Sequence, residues 1–336
     1  MNSKRSFAES SSRYFSVARL ILTTTSFQDT PGEHHAMLEQ AGFEIIRERG
    51  PLPETRMLEL AAGNFDAFLC GDDAITRAVM QKALPRLKVV SKYGIGLDKV
   101  DVQAATDLKI PVCYCPGVNH TTVAEHAFGL LLAIYRDIVA ENAHVKAGTW
   151  KRLTGHELMG KTITILGMGR IGKEVAIRAR AFNMTVVGFD KFWDFDFARH
   201  HNVERAETVE VALKVADVVT LHVNLSPETK HIINAERLAL LKKGAVVINT
   251  ARGELADVTA IVAALKSGHL LGYGADVLEQ EPPPKDHPLF ACPNAILTPH
   301  IGSRTYESVA RQASMAAQNL IAVLNGQKPI AQANQV

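Results

Sequence analysis

Four polar residues stand just beyond apolar runs in the second half of a 336-residue chain. Arg252 follows AVVINTA (245–251), Asp276 ends GYGAD, Glu281 comes shortly after it, and His300 follows AILTP (295–299). A strand buried in a sheet has no need of such groups, whereas ligands of open α/β sheets bind beyond the carboxyl ends of strands. The four are therefore expected to face one crevice. A guanidinium is a permanently charged planar fork that suits a carboxylate. An imidazole changes charge near neutral pH and can give or take a proton. A carboxylate beside it favours the imidazolium form.

A second constellation is a turn of glycines. Gly167-Met168-Gly169-Arg170-Ile171-Gly172 follows the run TITILG (162–167) directly and opens the helical pattern KEVAIRARAF. Between a strand and a helix, the first Gly makes the tight turn and the second lets backbone approach a pyrophosphate. The third allows close helix–strand packing. The helix start adds free N–H groups and the positive end of its dipole. Asp190 ends the next run, TVVGFD (185–190), about 20 residues on, where a carboxylate can accept from both ribose hydroxyls of NAD and repels the 2′-phosphate of NADP. Lys191 softens that repulsion, and NAD remains the favoured cofactor.

The elements that must hold these groups recur along the chain. ARLILTTT (18–25), FEIIRER (43–49), DAFLCG (66–71), KVVSKY (88–93) and PVCYCP (111–116) form one series of β-branched runs. TITILG, TVVGFD, VVTLHV (218–223), AVVINTA, GYGADV (272–277) and AILTP form another. Helical stretches lie between most of them, so the pattern predicts βαβ units and parallel sheets with helices on both faces. The long helical segment from Thr122 to about Lys146, opened by the capping-box form Thr122-Val-Ala-Glu125, separates the two series. A second long run, about Arg304 to Leu324, closes the chain. If these two helices are the crossings, the first domain is discontinuous, residues 17–120 with 304–336, and the second is 121–303. The fold class is α/β with two doubly wound domains.

Composition excludes several classes. Lys plus Arg (37) nearly balances Asp plus Glu (35), without the basic excess that nucleic acid or an anionic membrane would call for. The longest apolar runs, such as Phe128 to Tyr135, fall well short of the ~20 residues of a membrane span. With 47% apolar and 21% charged residues, the chain reads as soluble and globular. Cys70, Cys113, Cys115 and Cys292 do not make a disulfide scaffold; they are expected as apolar strand or loop residues, without a metal. A cytoplasmic protein is expected. Residues 1–16, Ser-rich and basic with no apolar core, read as a disordered leader outside the fold.

GMGRIG, INTARGELAD, GADVLEQEP and LTPHIGS, in this order and spacing, resemble the D-isomer-specific 2-hydroxyacid dehydrogenase family. The likeness runs from about Ala18 to Leu324. It implies a flavodoxin-like substrate domain interrupted by a Rossmann NAD-binding domain, assembled as a homodimer. Arg252 would bind the carboxylate and carbonyl oxygen of a small 2-keto acid. His300 would be the general acid in reduction and the base in oxidation, with Glu281 as its partner. Arg170, Ile171, His222, Thr250, Ala251, Asp276 and Gly302 would join Gly167, Gly169, Gly172 and Asp190 around the cofactor. The stretch SKYGIGLDKVD (91–101) resembles the family loop that receives the substrate carboxylate on backbone N–H groups, with Tyr93, Gly94 and Ile95 as contacts. Asn119 and His120 would line the same cleft, while His120 and His126 also read as packing or cap residues.

The substrate is less fixed. Phosphoglycerate dehydrogenases of this family place an arginine where Cys70 falls, and the next residues here are Gly71, Asp72 and Asp73. Two carboxylates would repel a phosphate tail and could accept from sugar hydroxyls, while Lys92 partly compensates. Hydroxypyruvate, glyoxylate or a sugar acid is at least as plausible as phosphoglycerate. A formate dehydrogenase pairs its histidine with Gln, against Glu281 here. An NADH-sensing corepressor-like binding protein and a phosphite-type dehydrogenase are the alternatives to a 2-keto acid reductase.

Overall fold

In a computed structural model that describes residues 17–336, backbone contacts group the chain into two units. Of the described residues, one comprises 17–115 together with Ala313–Val336; the other is Pro116–Gln312. The leader expected at 1–16 lies outside the described residues.

The first unit is a five-stranded parallel sheet of Arg19–Leu22 (β1), Glu44–Arg47 (β2), Ala67–Cys70 (β3), Val89–Lys92 (β4) and Val112–Cys113 (β5). Its order is β2-β1-β3-β4-β5, a doubly wound arrangement of the flavodoxin type. β3 and β4 are buried at every position, as central strands covered on both faces require. The run PVCYCP yields only a two-residue strand at the sheet edge.

The second unit is a seven-stranded parallel sheet: Thr162–Leu166 (β6), Thr185–Phe189 (β7), Val203–Arg205 (β8), Val218–Leu221 (β9), Ala245–Asn249 (β10), Leu270–Ala275 (β11) and Ala295–Leu297 (β12). The order β12-β11-β10-β9-β6-β7-β8 is that of a Rossmann sheet, with its direction of winding reversing between β6 and β9. β9 and β10 are wholly buried. Each Val or Ile removed from water there contributes about 1.5–3 kcal/mol. Eleven of these twelve strands correspond to apolar runs in the sequence. β8 does not, because it is a three-residue edge strand whose Glu204 and Arg205 are exposed.

Two expectations about the long helix are corrected. It is two helices, His120–Tyr135 and Ile138–Lys146, broken at Asp137, which takes the left-handed conformation (φ 51°). The Tyr135 carbonyl accepts from the His156 N–H at 2.7 Å, so the returning chain occupies an acceptor that a continuing helix would use. The capping box does not form either. The helix starts at His120 after Asn119, Thr122 lies inside its first turn, and Glu125 pairs with Arg178 at 3.2 Å.

Among the described residues, no helix is long and apolar enough to cross a membrane. All four cysteines are buried free thiols. Burial pushes Cys113 up to about 12 and Cys115 up to about 11, so they stay protonated, as apolar packing residues do.

Candidate active site

Because the strands of the second unit are parallel, the turns after β6, β7, β9, β10, β11 and β12 all leave the same edge of one sheet. The glycine turn follows β6, with Gly167 in the left-handed region (φ 102°). It lies against the turn after β9: a Cβ at Gly167 would sit 2.5 Å from the His222 carbonyl carbon. The helix Arg170–Ala181 begins at Gly169 without a side-chain cap, leaving its first N–H groups for another acceptor. Nothing lies within 4 Å of where a Cβ on Gly169 would be, so backbone there is open to close approach.

Asp190 stands at the end of β7, as the sequence predicts, and is tied to the same turn. Its Oδ2 accepts from Met168 N–H at 2.7 Å and its Oδ1 from Phe192 N–H at 2.8 Å. His222 follows β9, its Nε2 2.8 Å from Thr220 Oγ1. Burial drives its pKa down to about 3, so the ring is neutral at any ordinary pH. Two buried polar atoms on this edge, His222 Nδ1 and Thr250 Oγ1, have no partner within the protein. An uncapped helix start, an open glycine backbone, a carboxylate at the second strand end and two orphaned polar atoms together fit a dinucleotide.

Arg252, Glu281 and His300 come from three successive turns. Arg252 is half-buried; Asn249 Nδ2 donates to its carbonyl at 2.8 Å, and its own Nη1 donates to the Ala251 carbonyl at 2.7 Å. Next to it, Gly253 lies so close to the turn after β11 that a Cβ there would collide with the Leu278 carbonyl carbon. That turn carries Glu281, whose Oε1 accepts from Leu278 N–H at 3.0 Å and whose Oε2 is 2.7 Å from His300 Nδ1. The Glu281 contact takes Nδ1 as the protonated ring nitrogen. His300 holds a left-handed backbone (φ 52°), uncommon for a residue with a side chain and a mark of a turn fixed by its surroundings.

Asp276 is 2% exposed. Its Oδ1 accepts from Thr298 Oγ1 (2.6 Å) and Ile301 N–H (2.9 Å), its Oδ2 from Gly302 N–H (2.7 Å). Burial raises its pKa, but donation from His126, Thr298 and Ile301 outweighs that and holds the carboxyl below the usual range. Gly302 is buried in the same turn; Arg170 is exposed, and Ile171 and Ala251 are half-buried. Sequence reasoning missed two contributors here. His126 touches this turn rather than serving as packing alone, and Asn249 holds the backbone of Arg252.

In the first unit, Tyr93, Gly94 and Ile95 follow β4, half-buried, with Gly94 at φ 118°. Lys92 is only 3% exposed, its Nζ 3.0 Å from Asp72 Oδ1 and 3.2 Å from the Tyr93 carbonyl. The expectation for Asp73 is corrected. Its carboxylate is fully buried and accepts from Leu52 N–H, Gly71 N–H and Thr23 Oγ1, so it shapes the turn and meets no sugar hydroxyl. In the second unit, Asn119 is 9% exposed, with Nδ2 3.5 Å from Gln312 Oε1 and a buried Oδ1 that has no partner within the protein.

Comparison with known proteins bears on the family of the chain. The NAD-binding domain of the D-isomer specific 2-hydroxyacid dehydrogenases matches residues 128–302. The chain is 44% identical over 311 residues to a glyoxylate reductase of Thermofilum pendens, covering 89% of this chain and 91% of that one. It is 42% identical over 255 residues to a D-3-phosphoglycerate dehydrogenase of Methanocaldococcus jannaschii, covering 75% of this chain but only 48% of that relative, about half its length. The crystal structure of the TT0316 protein from Thermus thermophilus superposes with a TM-score of 0.85 at 40% identity, over 94% of this chain and all of that one.

Proposed function

Because the chain belongs to the D-isomer-specific 2-hydroxyacid dehydrogenase family, we propose that Arg252 and His300 share the reduction of a small, unphosphorylated 2-keto acid. The family makes it an NAD-dependent oxidoreductase acting on CH–OH groups. When bound, the nicotinamide supplies the hydride in one direction and accepts it in the other. Gly167, Gly169 and Gly172 with the helix start hold the pyrophosphate, and Asp190 holds the adenosine ribose. His222, Thr250, Ala251, Asp276 and Gly302 complete the cofactor side, with Arg170 and Ile171.

Arg252 binds the substrate's carboxylate and carbonyl oxygen, placing positive charge where the alkoxide develops. His300 delivers a proton from Nε2 to that oxygen and takes it back in oxidation. Glu281, 2.7 Å from Nδ1, orients the ring and stabilises its charged form. Asn119, whose buried Oδ1 has no partner within the protein, supplies a further polar contact in the second unit.

One observation carries the choice of substrate: the Lys92 ammonium is buried and already paired with Asp72. Its charge is met within the protein, which supports glyoxylate or hydroxypyruvate over a phosphorylated acid. The experiment is a panel of 2-keto acids with NADH, followed by its absorbance. Glyoxylate and hydroxypyruvate are expected to turn over with higher kcat/KM than 3-phosphohydroxypyruvate. The reverse order overturns the substrate assignment, and silence across the panel overturns the catalytic one.

We further propose a homodimer in the cytoplasm. Ile138, Val139, Val145 and Trp150 are all more than half exposed along one stretch, an apolar surface that a second copy of the chain would cover. The four free thiols suit a reducing compartment. Light scattering after gel filtration tests the assembly, and a monomer at micromolar concentration overturns it.

A further inference from the structure

We propose that His126, far from the catalytic trio in sequence, is a positioning residue for His300, acting through Thr298 and Asp276. The inference rests on the reading of His300 as the acid. It begins with two matched patterns. Gly272 and Gly274 of β11 and Asp276, the first residue beyond it, lie two apart, and the two glycines share one face of the sheet. Along the helix His120–Tyr135, His126, Leu130 and Ile134 lie four apart and share one stripe.

The stripe lies on that face. A Cβ at Gly272 would come 2.5 Å from Ile134 Cγ2, and one at Gly274 would come 3.1 Å from Leu130 Cβ. The absent side chains let the helix seat directly on the strand. At the third step of the same ladder, His126 Nε2 reaches Thr298 Oγ1 at 2.9 Å and Asp276 Oδ1 at 3.3 Å.

The direction of the hydrogen bonds follows. The Thr298 hydroxyl gives its proton to Asp276 Oδ1, so its oxygen must accept from His126, and His126 carries its proton on Nε2. Asp276 then fastens the chain on both sides of His300, at Thr298 before it and at Ile301 and Gly302 after it. Its backbone carbonyl also accepts the His300 N–H at 2.7 Å. A left-handed residue with a side chain is strained and persists only where the surroundings fix it. This clamp is the fixture, and His126 is its anchor to the helix.

The test compares His126→Phe, which removes the donor, with His126→Gln, which keeps an N–H at a similar reach. Phe at 126 is expected to lower kcat by about 10- to 100-fold, as an ångström of misplacement does, while NADH affinity stays within about twofold. Gln at 126 is expected to recover most of the loss. Thr298→Val, which cuts the same link from the turn side, should reproduce the fall in kcat even if the Phe variant does not fold. In a His300→Ala background, His126→Phe should leave residual turnover unchanged, because its effect passes through the missing imidazole. Wild-type kcat in His126→Phe beside an inactive His300→Ala overturns the positioning role alone. An equal fold-loss in both backgrounds also overturns it. Full turnover by His300→Ala overturns the acid assignment, and the positioning role with it.

Discussion

Glu281 Oε2 and His300 Nδ1 stand 2.7 Å apart although they leave the sheet on different turns. Leu278 N–H holds the other carboxylate oxygen at 3.0 Å, so the acid is fixed before the imidazole meets it. A histidine held this way keeps one nitrogen for its partner and offers the other to a reactant. The first two predictions follow from that division.

His300→Ala is expected to lower kcat by about 10²–10⁴, the usual worth of a general acid, with NADH affinity near wild type. Steady-state turnover and a fluorescence titration of NADH check both parts. Comparable turnover would remove His300 from its role.

Glu281→Gln keeps the shape and removes the charge that favours the imidazolium. Keto-acid reduction should then fall by about tenfold, because the imidazole loses the charge beside it. The ratio of kcat/KM to wild type is the measurement, and an unchanged value would refute the pairing.

Asp190→Asn keeps one oxygen to accept from either Met168 N–H or Phe192 N–H, sets its NH2 against the other, and loses the negative charge. The preference for NAD over NADP should narrow, measured as the ratio of kcat/KM for the two cofactors. Asp190→Ala should narrow it too but also lower Tm, since two backbone donors lose their partner at about 1 kcal/mol each. An unchanged ratio in both variants would mean that another group reads the ribose.

Acid should weaken the fold before its carboxylates titrate. Burial lowers the pKa of His34 from its ordinary value of 6.5 and pushes that of His222 down to about 3. An unfolded chain takes up protons on both below about pH 6.5, whereas the native chain resists. Their contribution is thus complete above that pH and declines as pH falls, by up to about 1.4 kcal/mol per unit for each. Tm should drop between about pH 7 and pH 5, and His34→Gln should flatten part of the slope. A flat Tm over that interval in the wild type would contradict it.

Much of this was readable in the residues. Strands β6, β7 and β9 to β12 are apolar and each ends in, or is followed at once by, glycine or a polar residue (Gly167, Asp190, His222, Asn249, Asp276 and Thr298), and a parallel sheet forces those ends to one edge. What escaped depends on contacts distant in sequence. His126 looks like packing because a lone histidine on an apolar helix gives no hint of its neighbour, although Gly272-x-Gly274-x-Asp276 shows that something sits close. Asp73 looks like a ligand residue until the backbone of Leu52 and Gly71 claims it. The helix break at Asp137 is set by the carbonyl that His156 takes, a partner 21 residues from Tyr135.

The first unit draws its last pieces from the end of the chain. Val112 N–H donates to Asn334 Oδ1, Asn334 Nδ2 donates to the Ile110 carbonyl, and Ser91 Oγ donates to the Ala316 carbonyl. A ribosome therefore makes Cys115 long before it makes Ala313. At about 5–20 residues per second the gap is of order 10–40 s. Throughout that interval the nascent sheet presents β5 as a raw edge, the kind of surface that chaperones bind and that stray strands join. The inserted unit, by contrast, has all its parts as soon as it clears the exit tunnel, and a truncated chain would lose the early half rather than the late one.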